Sequence, residues 1–232
     1  MSHPVVSQDE WIAARRRLLA KEKEFTRLRD ELSRERRELP WERVDKPYVF
    51  ETQNGRQTLA DLFDGCHQLV VYHFMFAPDW ENGCKSCSFW ADNFNGIVAH
   101  LRQRDVSFVA VSRAPWQKLH AFAQRLGWNF KWVSSGGNDF NFDYQVSFTE
   151  QQMQGEVDYN YGKRRFPATD APGVSVFLRE GDSVFHTYSS FGRGIDMLNT
   201  AYHYLDLVPK GRDEEGLPSP MAWVKLHDQY ST

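Results

Sequence analysis

Two cysteines, Cys84 and Cys87, have the residue type and the spacing that most directly allow covalent chemistry in this chain of 232 residues. In a Cys-x-x-Cys pair, one thiolate attacks a disulfide and the second thiol resolves the mixed disulfide. The same spacing also forms half of a zinc site, and two inert thiols can fall at it by chance. Because a zinc site needs four ligands and the only other cysteine is Cys66, we favour redox chemistry without a metal or other cofactor.

The residues around the pair predict where it lies in the fold. Leu69 to Phe76 form an unbroken apolar run, which is typical of a strand buried on both faces. Pro78 and Gly83 then predict a turn. The following apolar residues recur at helical spacing, at Trp90, Phe94, Ile97, Val98 and Leu101. The two cysteines are therefore predicted in the first turn of a helix that follows a central strand.

A thiol at the start of a helix is expected to ionise readily. The first amides of a helix are unpaired, and the helix dipole places partial positive charge there, so a thiolate is stabilised relative to a thiol. Lys85 adds a nearby positive charge. We therefore expect Cys84 to be the nucleophile and Cys87, one turn further into the helix, to be the resolving thiol.

Composition excludes several classes of function. The formal charge of −3 gives no reason to expect binding to nucleic acid or to an acidic membrane. No apolar run reaches transmembrane length, and the first residues lack the apolar segment of a secretory signal, so a cytoplasmic location is expected. Three cysteines in a reducing compartment are few for a structural disulfide framework, which favours a chemical role for the close pair.

The chain divides into three parts by pattern. Residues 1–40 are predicted to be a helical arm that ends at Pro40, residues 41–208 a single α/β domain, and residues 209–232 a tail that docks on this domain. Apolar residues of the arm recur every seven positions, at Trp11, Leu18, Phe25, Leu32 and Leu39. Most heptads lack a second apolar position, so we expect one stripe that packs on the domain or on a twin subunit in a homodimer, rather than a coiled coil.

The order of elements in the domain is β-α-β-α-β, which predicts a mainly parallel sheet, followed by a hairpin around Gly181 and a final helix. Residues 135–170 interrupt this pattern with an insertion rich in aromatic residues. An insertion of this length is usually functional or disordered, and its aromatic content argues against disorder. It is interpreted either as a lid or pocket wall over the cysteines or as an oligomer contact.

This order of elements, with Cys-x-x-Cys at the first helix of the core, resembles the thioredoxin fold. The segment from Asn54 to Phe63 resembles the peroxiredoxin-like branch of that superfamily. The stretch from Tyr72 to Phe94 and the end from Trp223 to Tyr230 are similar to the DUF899 family of predicted dithiol-disulfide oxidoreductases. The resemblance implies a thioredoxin-like three-layer α/β sandwich and a protein or small-molecule disulfide as substrate, with a thiol as electron donor.

The resemblance also implies residues that contact the substrate. Trp80 takes the place of the aromatic neighbour of the first cysteine, since the preceding residue is Gly83 rather than Trp. Counting back from the hairpin turn places Gly173 at the position of the thioredoxin cis-proline, with Pro172 one residue earlier, and leaves open whether Pro172 is cis. Together with Lys85, these residues are the predicted substrate contacts.

Two other functions stay open at this point. The first is a thiol peroxidase of peroxiredoxin-like type, in which Cys84 forms a sulfenic acid that condenses with Cys87. Glu81 stands where a peroxiredoxin would carry Thr or Ser, which weakens this alternative. The second is a non-enzymatic module that binds a metal or a small ligand.

Overall fold

The computed structural model describes residues 3–231, so residues 1, 2 and 232, which belong to the predicted arm and tail, lie outside the described residues. The chain forms two compact units, of which the first ends at Pro40 and the second begins at Trp41.

The first unit consists of helix α1 (Gln8–Arg37). The helix begins at a capping box, in which the Ser7 side chain accepts from the amide of Glu10 and the Glu10 carboxylate accepts from the amide of Ser7. None of its residues is buried. The role of its heptad stripe in a homodimer stays a prediction.

The second unit is built on a sheet of eight strands in the order β1-β10-β9-β4-β5-β6-β2-β3, with a separate two-stranded sheet, β7-β8. The strands are β1 (Glu42–Arg43), β2 (Val49–Thr52), β3 (Gly55–Thr58), β4 (Gln68–His73), β5 (Val106–Ser112), β6 (Lys131–Ser134), β7 (Val157–Tyr159), β8 (Gly162–Arg164), β9 (Gly173–Glu180) and β10 (Ser183–Phe191). The further helices are α2 (Lys85–Ala91), α3 (Phe94–Arg102), α4 (Trp116–Arg125), α5 (Phe140–Asp143) and α6 (Thr200–Leu205).

Strand β4 is central, as its apolar run predicts. It pairs in parallel with β5 and antiparallel with β9, and β5 pairs in parallel with β6. The antiparallel hairpin β9-β10 continues the sheet on the other side of β4. This is the arrangement of a thioredoxin-like α/β fold, and that expectation from the sequence is confirmed. The prediction of a mainly parallel sheet is wrong, because the hairpins β2-β3 and β9-β10 make five of the seven strand pairings antiparallel.

The two faces of the sheet carry different cores. On one face, Tyr72 of β4 packs with residues of α2, α3, α4 and α6, including Cys87. On the other face, Val71 of β4 packs with Phe50 of β2, with the 3-10 helix Asp61–Phe63 and with Phe140 of α5. Neighbouring side chains of a strand point to opposite faces, so β4 contributes to both layers.

The helix predicted from Cys84 to Leu101 is interrupted, because α2 ends at Ala91 and α3 begins at Phe94. At the break, the side-chain amide of Asn93 donates to the carbonyls of Phe89 and Trp90. A side-chain amide that occupies helix carbonyls competes with the backbone ladder, which explains the break. The predicted final helix is likewise divided into a 3-10 helix, Gly192–Leu198, and α6, which is capped by Asn199.

The insertion, residues 135–170, consists of two parts that pack in different cores. The Phe140 ring packs against Tyr48 and Phe50 on the sheet face opposite to the cysteines, so this part does not cover them. The part from Val146 onwards contributes to a small separate core, in which Tyr159 packs against Phe191. In the tail, Val224 and Leu226 are buried. Within residues 3–231, no helix combines the length and the apolar character needed to cross a membrane.

Candidate active site

Cys84 is the N-cap residue of α2, directly before its first turn. Its backbone amide donates to the carbonyl of Met75 at 3.0 Å, beyond the end of β4. Its own carbonyl accepts both the amide and the hydroxyl of Ser88, at 2.9 and 3.0 Å. The main chain of Cys84 is therefore fixed on both sides, and its half-buried side chain lies at the start of the helix.

The surroundings of Cys84 favour its thiolate. Hydrogen bonding from the Cys87 thiol, from the amides of Cys87 and Ser86 and from the Ser86 hydroxyl lowers the pKa of Cys84 to about 7 from the ordinary value of 9.0, although burial acts in the other direction. The neutral sulfur makes no capping hydrogen bond of regular geometry. The amides nevertheless occupy the positions from which they stabilise a negative charge at a helix start. At neutral pH a large fraction of Cys84 is consequently thiolate.

Cys87 has the opposite character. It is 2% exposed, and burial, followed by the interaction with Cys84, raises its pKa well above the ordinary value. Both cysteines are free thiols, so the structure is that of the reduced pair. One thiol is ionisable and partly accessible while the other is protonated and sealed, and this is the division of properties that a nucleophile and a resolving thiol require.

Tyr72, which sequence reasoning did not select, also belongs to this site. Its side chain is 1% exposed and its ring packs edge-on against Phe94 at 4.9 Å. The Tyr72 hydroxyl interacts with the Cys87 sulfur, as does the backbone amide of Met75, and both interactions lower the Cys87 pKa. An unbroken apolar strand does not show which of its side chains face the helix that follows, so the sequence held no direct signal for Tyr72.

Of the predicted substrate contacts, Lys85 directly follows Cys84 in the chain and Trp80 precedes it by four residues. Trp80 is half-buried and packs, like Cys84, against the core beneath α2. Lys85 is exposed, and its ammonium group donates to the carbonyl of Ala222 in the tail at 3.1 Å. Because Lys85 begins α2, this contact places the tail beside the first turn of α2. The groups that lower the Cys84 pKa most are the neutral donors of the helix start.

The other two predicted contacts lie at the start of β9. Gly173 pairs with His73 of β4, and a Cβ atom there would lie 2.5 Å from the Phe191 ring, which explains the glycine. The half-buried Pro172 precedes it, and among residues 3–231 no peptide bond is cis. The carbonyl of Pro172 accepts the hydroxyl of Tyr159 at 2.6 Å. Tyr159 also interacts electrostatically with Cys87, so the insertion reaches the region of the dithiol through this residue.

The third cysteine lies elsewhere. Cys66 is buried before the start of β4, whereas Cys84 is tied to Met75 beyond its end. An extended strand rises about 3.3 Å per residue, so the length of β4 separates Cys66 from the pair. The neighbouring His67 binds Asp105 at 2.9 Å. Across the described part of the chain, no group of three or more His, Cys, Asp or Glu side chains could hold a metal ion.

A buried polar chain runs on the other face of the sheet. His73 Nε2 lies 2.8 Å from the Ser175 hydroxyl, which lies 2.8 Å from that of Ser189, which in turn lies 2.7 Å from His186 Nε2. Burial, followed by the charge of His186, lowers the pKa of His73 to about 3. His73 is thus held neutral behind a cavity of about 400 Å³ that is lined by His186 and Ser189. These hydrogen bonds hold His73 and His186 in the core of that face, and the sheet separates them from the two cysteines.

The strand order and the cysteine pair at the first helix of the core define a thioredoxin-like protein. The chain belongs to the family described as "Bacterial protein of unknown function (DUF899)", whose model matches residues 1–230. No curated protein matches the chain.

Solved structures that are similar to the chain at low identity include three from different bacteria. Peroxiredoxin Q from Xanthomonas campestris is 15% identical, with 70% of this chain and 93% of that chain covered and a TM-score of 0.49. Peroxidoxin BcpB from Mycobacterium tuberculosis is 15% identical, with 69% and 93% covered and a TM-score of 0.44. StoA from Bacillus subtilis is 12% identical, with 64% and 90% covered and a TM-score of 0.41. The fold assignment rests on the strand order of the chain itself.

Proposed function

We propose that this protein is a thiol-disulfide oxidoreductase in which Cys84 is the nucleophile and Cys87 the resolving thiol. The observation that carries the proposal is the placement of the half-buried Cys84 at the N-cap of α2, with the buried free thiol of Cys87 in the first turn of the same helix. The pKa of Cys84 is lowered and that of Cys87 is raised, which agrees with this placement. Attack on a disulfide requires a thiolate at the accessible position, and the second thiol must stay protonated until the mixed disulfide has formed.

The reaction has two exchanges. The Cys84 thiolate attacks one sulfur of the substrate disulfide, the substrate S–S bond breaks, and the departing thiolate takes a proton from solvent. Cys87 then attacks the Cys84 sulfur, which forms the Cys84–Cys87 disulfide and releases the second half of the substrate as a thiol. An external thiol donor returns the oxidised pair to the dithiol.

The substrate is proposed to be a protein or small-molecule disulfide that binds beside the start of α2. Trp80, which packs against the same core as Cys84, is proposed to supply an aromatic surface, and Lys85 an exposed ammonium group. The backbone of Pro172 and Gly173 at the start of β9 is the proposed third contact. A reducing compartment such as the cytoplasm would keep the pair in the dithiol form between turnovers.

The test is turnover of a disulfide substrate with a thiol donor, with mass spectrometry of the oxidised protein. We expect a Cys84–Cys87 disulfide after oxidation and loss of turnover in Cys84→Ser. Cys66→Ser, which changes a cysteine at the other end of β4, is the matched control and should keep its activity. Turnover that persists in Cys84→Ser would exclude the proposal.

The thiol peroxidase alternative uses the same two residues, with peroxide as the oxidant. In that reaction the peroxide O–O bond breaks, Cys84 becomes a sulfenic acid, and Cys87 displaces water to form the disulfide. Consumption of hydrogen peroxide by the reduced protein, measured beside disulfide reduction, decides between the two activities. Faster consumption of peroxide than of disulfide would favour the peroxidase.

A further inference from the structure

We infer that the Tyr72 hydroxyl, together with the Met75 amide, forms a hydrogen-bonding pocket for the Cys87 thiolate and so controls the resolving step of the disulfide exchange. This inference rests on the proposed function and adds to it a residue that acts on one of the two exchanges only. Among residues 3–231, the Tyr72 hydroxyl is one of six buried side-chain atoms without a hydrogen-bond partner.

The Tyr72 hydroxyl is sealed from solvent and makes no hydrogen bond of regular geometry with residues 3–231. A buried hydroxyl without a partner destabilises a fold, and a redox or catalytic role is one of the reasons for which native proteins keep such a group. Among the side chains that interact with the Tyr72 hydroxyl, Cys87 has the largest effect, followed by Cys84 and Tyr159. A neutral thiol is a weak acceptor, whereas a thiolate is a strong one, so the hydroxyl gains its full hydrogen bond only when Cys87 ionises.

The surroundings of Cys87 offer few other means to carry a negative charge. The strongest interactions of its sulfur are with Cys84, with the Met75 amide and with Tyr72, and none of these groups is a cation. The Met75 amide and the Tyr72 hydroxyl are thus the donors that oppose the cost of burying the charge. Burial also raises the pKa of Tyr72 well above its ordinary value of 10.0, so the hydroxyl keeps its proton and acts as a donor.

Tyr159, the other tyrosine that interacts with Cys87, does not fill this role. Its hydroxyl donates its single proton to the Pro172 carbonyl at 2.6 Å and accepts the Gly192 amide at 2.9 Å. A hydroxyl has one proton to donate, so Tyr159 has none left for the sulfur. Tyr72 is therefore the side chain that supplies a free donor to Cys87.

The step balances without a further reagent. In the mixed disulfide, Cys87 loses its proton and its thiolate attacks the Cys84 sulfur. The bond between Cys84 and the substrate sulfur breaks, and the departing thiolate takes up the proton that Cys87 released. Tyr72 donates a hydrogen bond while the charge is on Cys87 and keeps its own proton throughout. The first exchange, by Cys84, does not need this donor.

The experiment uses an aromatic disulfide whose released thiolate is coloured, mixed rapidly with the reduced full-length protein. Attack by Cys84 releases the first equivalent, and resolution by Cys87 releases the second. We expect Tyr72→Phe to release the first equivalent at the wild-type rate and the second about 10- to 100-fold more slowly. This factor corresponds to the free energy of one hydrogen bond to a charged group. The pH at which the second release is half-maximal should also move upwards.

Tyr144→Phe is the matched control, because Tyr144 packs against Phe140 and Phe177 on the opposite face of the sheet. Both releases should match the wild type in this variant. An unchanged second release in Tyr72→Phe, or equal slowing of both releases, would overturn the inference. Wild-type protein that releases no thiolate, or only one equivalent as expected for Cys87→Ser, would instead contradict the proposed function itself.

Folding of Tyr72→Phe is checked independently by urea unfolding. The substitution keeps the ring against Phe94 and removes only a hydroxyl that has no regular partner, so we expect an unfolding midpoint equal to or above that of the wild type. A large fall in the midpoint would show that the hydroxyl stabilises the resting fold, and would overturn the inference that its partner is the Cys87 thiolate.

Discussion

The amide of Cys84 and the carbonyl of Met75 are joined by a hydrogen bond of 3.0 Å. The amide of Met75 faces the Cys87 sulfur, so one residue beyond the end of β4 contacts both members of the cysteine pair. The positions of the two thiols are therefore set by the main chain of the central strand. The consequences of this arrangement can be measured.

The first prediction concerns the acidity of Cys84. Its alkylation rate, followed by mass spectrometry of the Cys84 peptide, should rise with pH around a midpoint of about 7. Ser86→Ala removes a hydroxyl that lowers this pKa, so the midpoint should move upwards. Ser88→Ala is the control, because the Ser88 hydroxyl donates to the Cys84 carbonyl rather than to the sulfur. A wild-type midpoint near 9.0, the ordinary value, would contradict the prediction.

The second prediction concerns Gly83, directly before Cys84. A Cβ atom at Gly83 would lie 2.8 Å from the Phe74 ring and 3.1 Å from the Phe122 ring. We expect Gly83→Ala to lower the free energy of unfolding by about 1–3 kcal/mol, because the rings must move within a packed core. Gly96 lies in α3 with nothing within 4 Å of its Cβ position.

Gly96→Ala should therefore be neutral or stabilising by up to about 1 kcal/mol, since alanine favours helix over glycine. Urea unfolding of both variants checks the pair of predictions. Equal free energies of unfolding of the two variants would show that the Phe74 ring moves aside without a loss of stability.

The third prediction concerns acid stability and His73. Its pKa is lowered to about 3 in the folded protein and has the ordinary value of 6.5 in the unfolded chain. Between these values the unfolded state binds a proton that the folded state does not, so stability falls as pH falls through this window. The loss attributable to His73 is about 1.5 kcal/mol between about pH 6.5 and about pH 5.

Urea unfolding at both pH values should show a smaller loss in His73→Gln than in the wild type. His100→Gln, a change at an exposed histidine of α3, is the control and should follow the wild type. The same pH dependence in all three proteins would mean that His73 is not held neutral.

The fourth prediction concerns a buried ion pair between β5 and the insertion. Arg113 binds the Asp170 carboxylate at 2.7 Å, with side chains only 16% and 2% exposed. Arg113→Met leaves a buried carboxylate without its cation, and should destabilise the fold by about 3–5 kcal/mol. The pair of Arg102 and Asp64 has a similar distance but side chains 52% and 63% exposed, so Arg102→Met should cost less than about 1 kcal/mol.

The measurement is again urea unfolding, of the single variants Arg113→Met and Asp170→Asn and of the double variant Arg113→Met/Asp170→Asn. Removing the charge from Asp170 should recover part of the stability that Arg113→Met loses. Strict additivity of the two single changes would argue against coupling between Arg113 and Asp170.

Local pattern was enough to predict most of the fold. The apolar run from Leu69 to Phe76 identified the central strand, and the turn before Cys84 placed the pair at a helix start. Local pattern does not predict the break at Asn93. The helical periodicity continues from Trp90 to Leu101, but α2 ends at Ala91 and α3 begins at Phe94. Periodicity reports which residues face the sheet, and it does not detect a side-chain amide that takes the helix carbonyls.

The insertion shows a second limit of local pattern. Its aromatic residues indicated a packed segment, yet Phe140 packs on one face of the sheet and Tyr159 packs beside Pro172. The place where each aromatic residue packs depends on contacts between residues far apart in the chain. Composition does not predict these contacts.

The sequence by itself determined that two cysteines with thiolate-forming surroundings follow a buried strand, because turns, caps and periodicity are properties of neighbouring residues. Only the tertiary structure decided that Tyr72 points to Cys87 while His73 points to the opposite core. An apolar run buried on both faces does not distinguish its two sides, and the distinction appears only when the helices have packed on one of them.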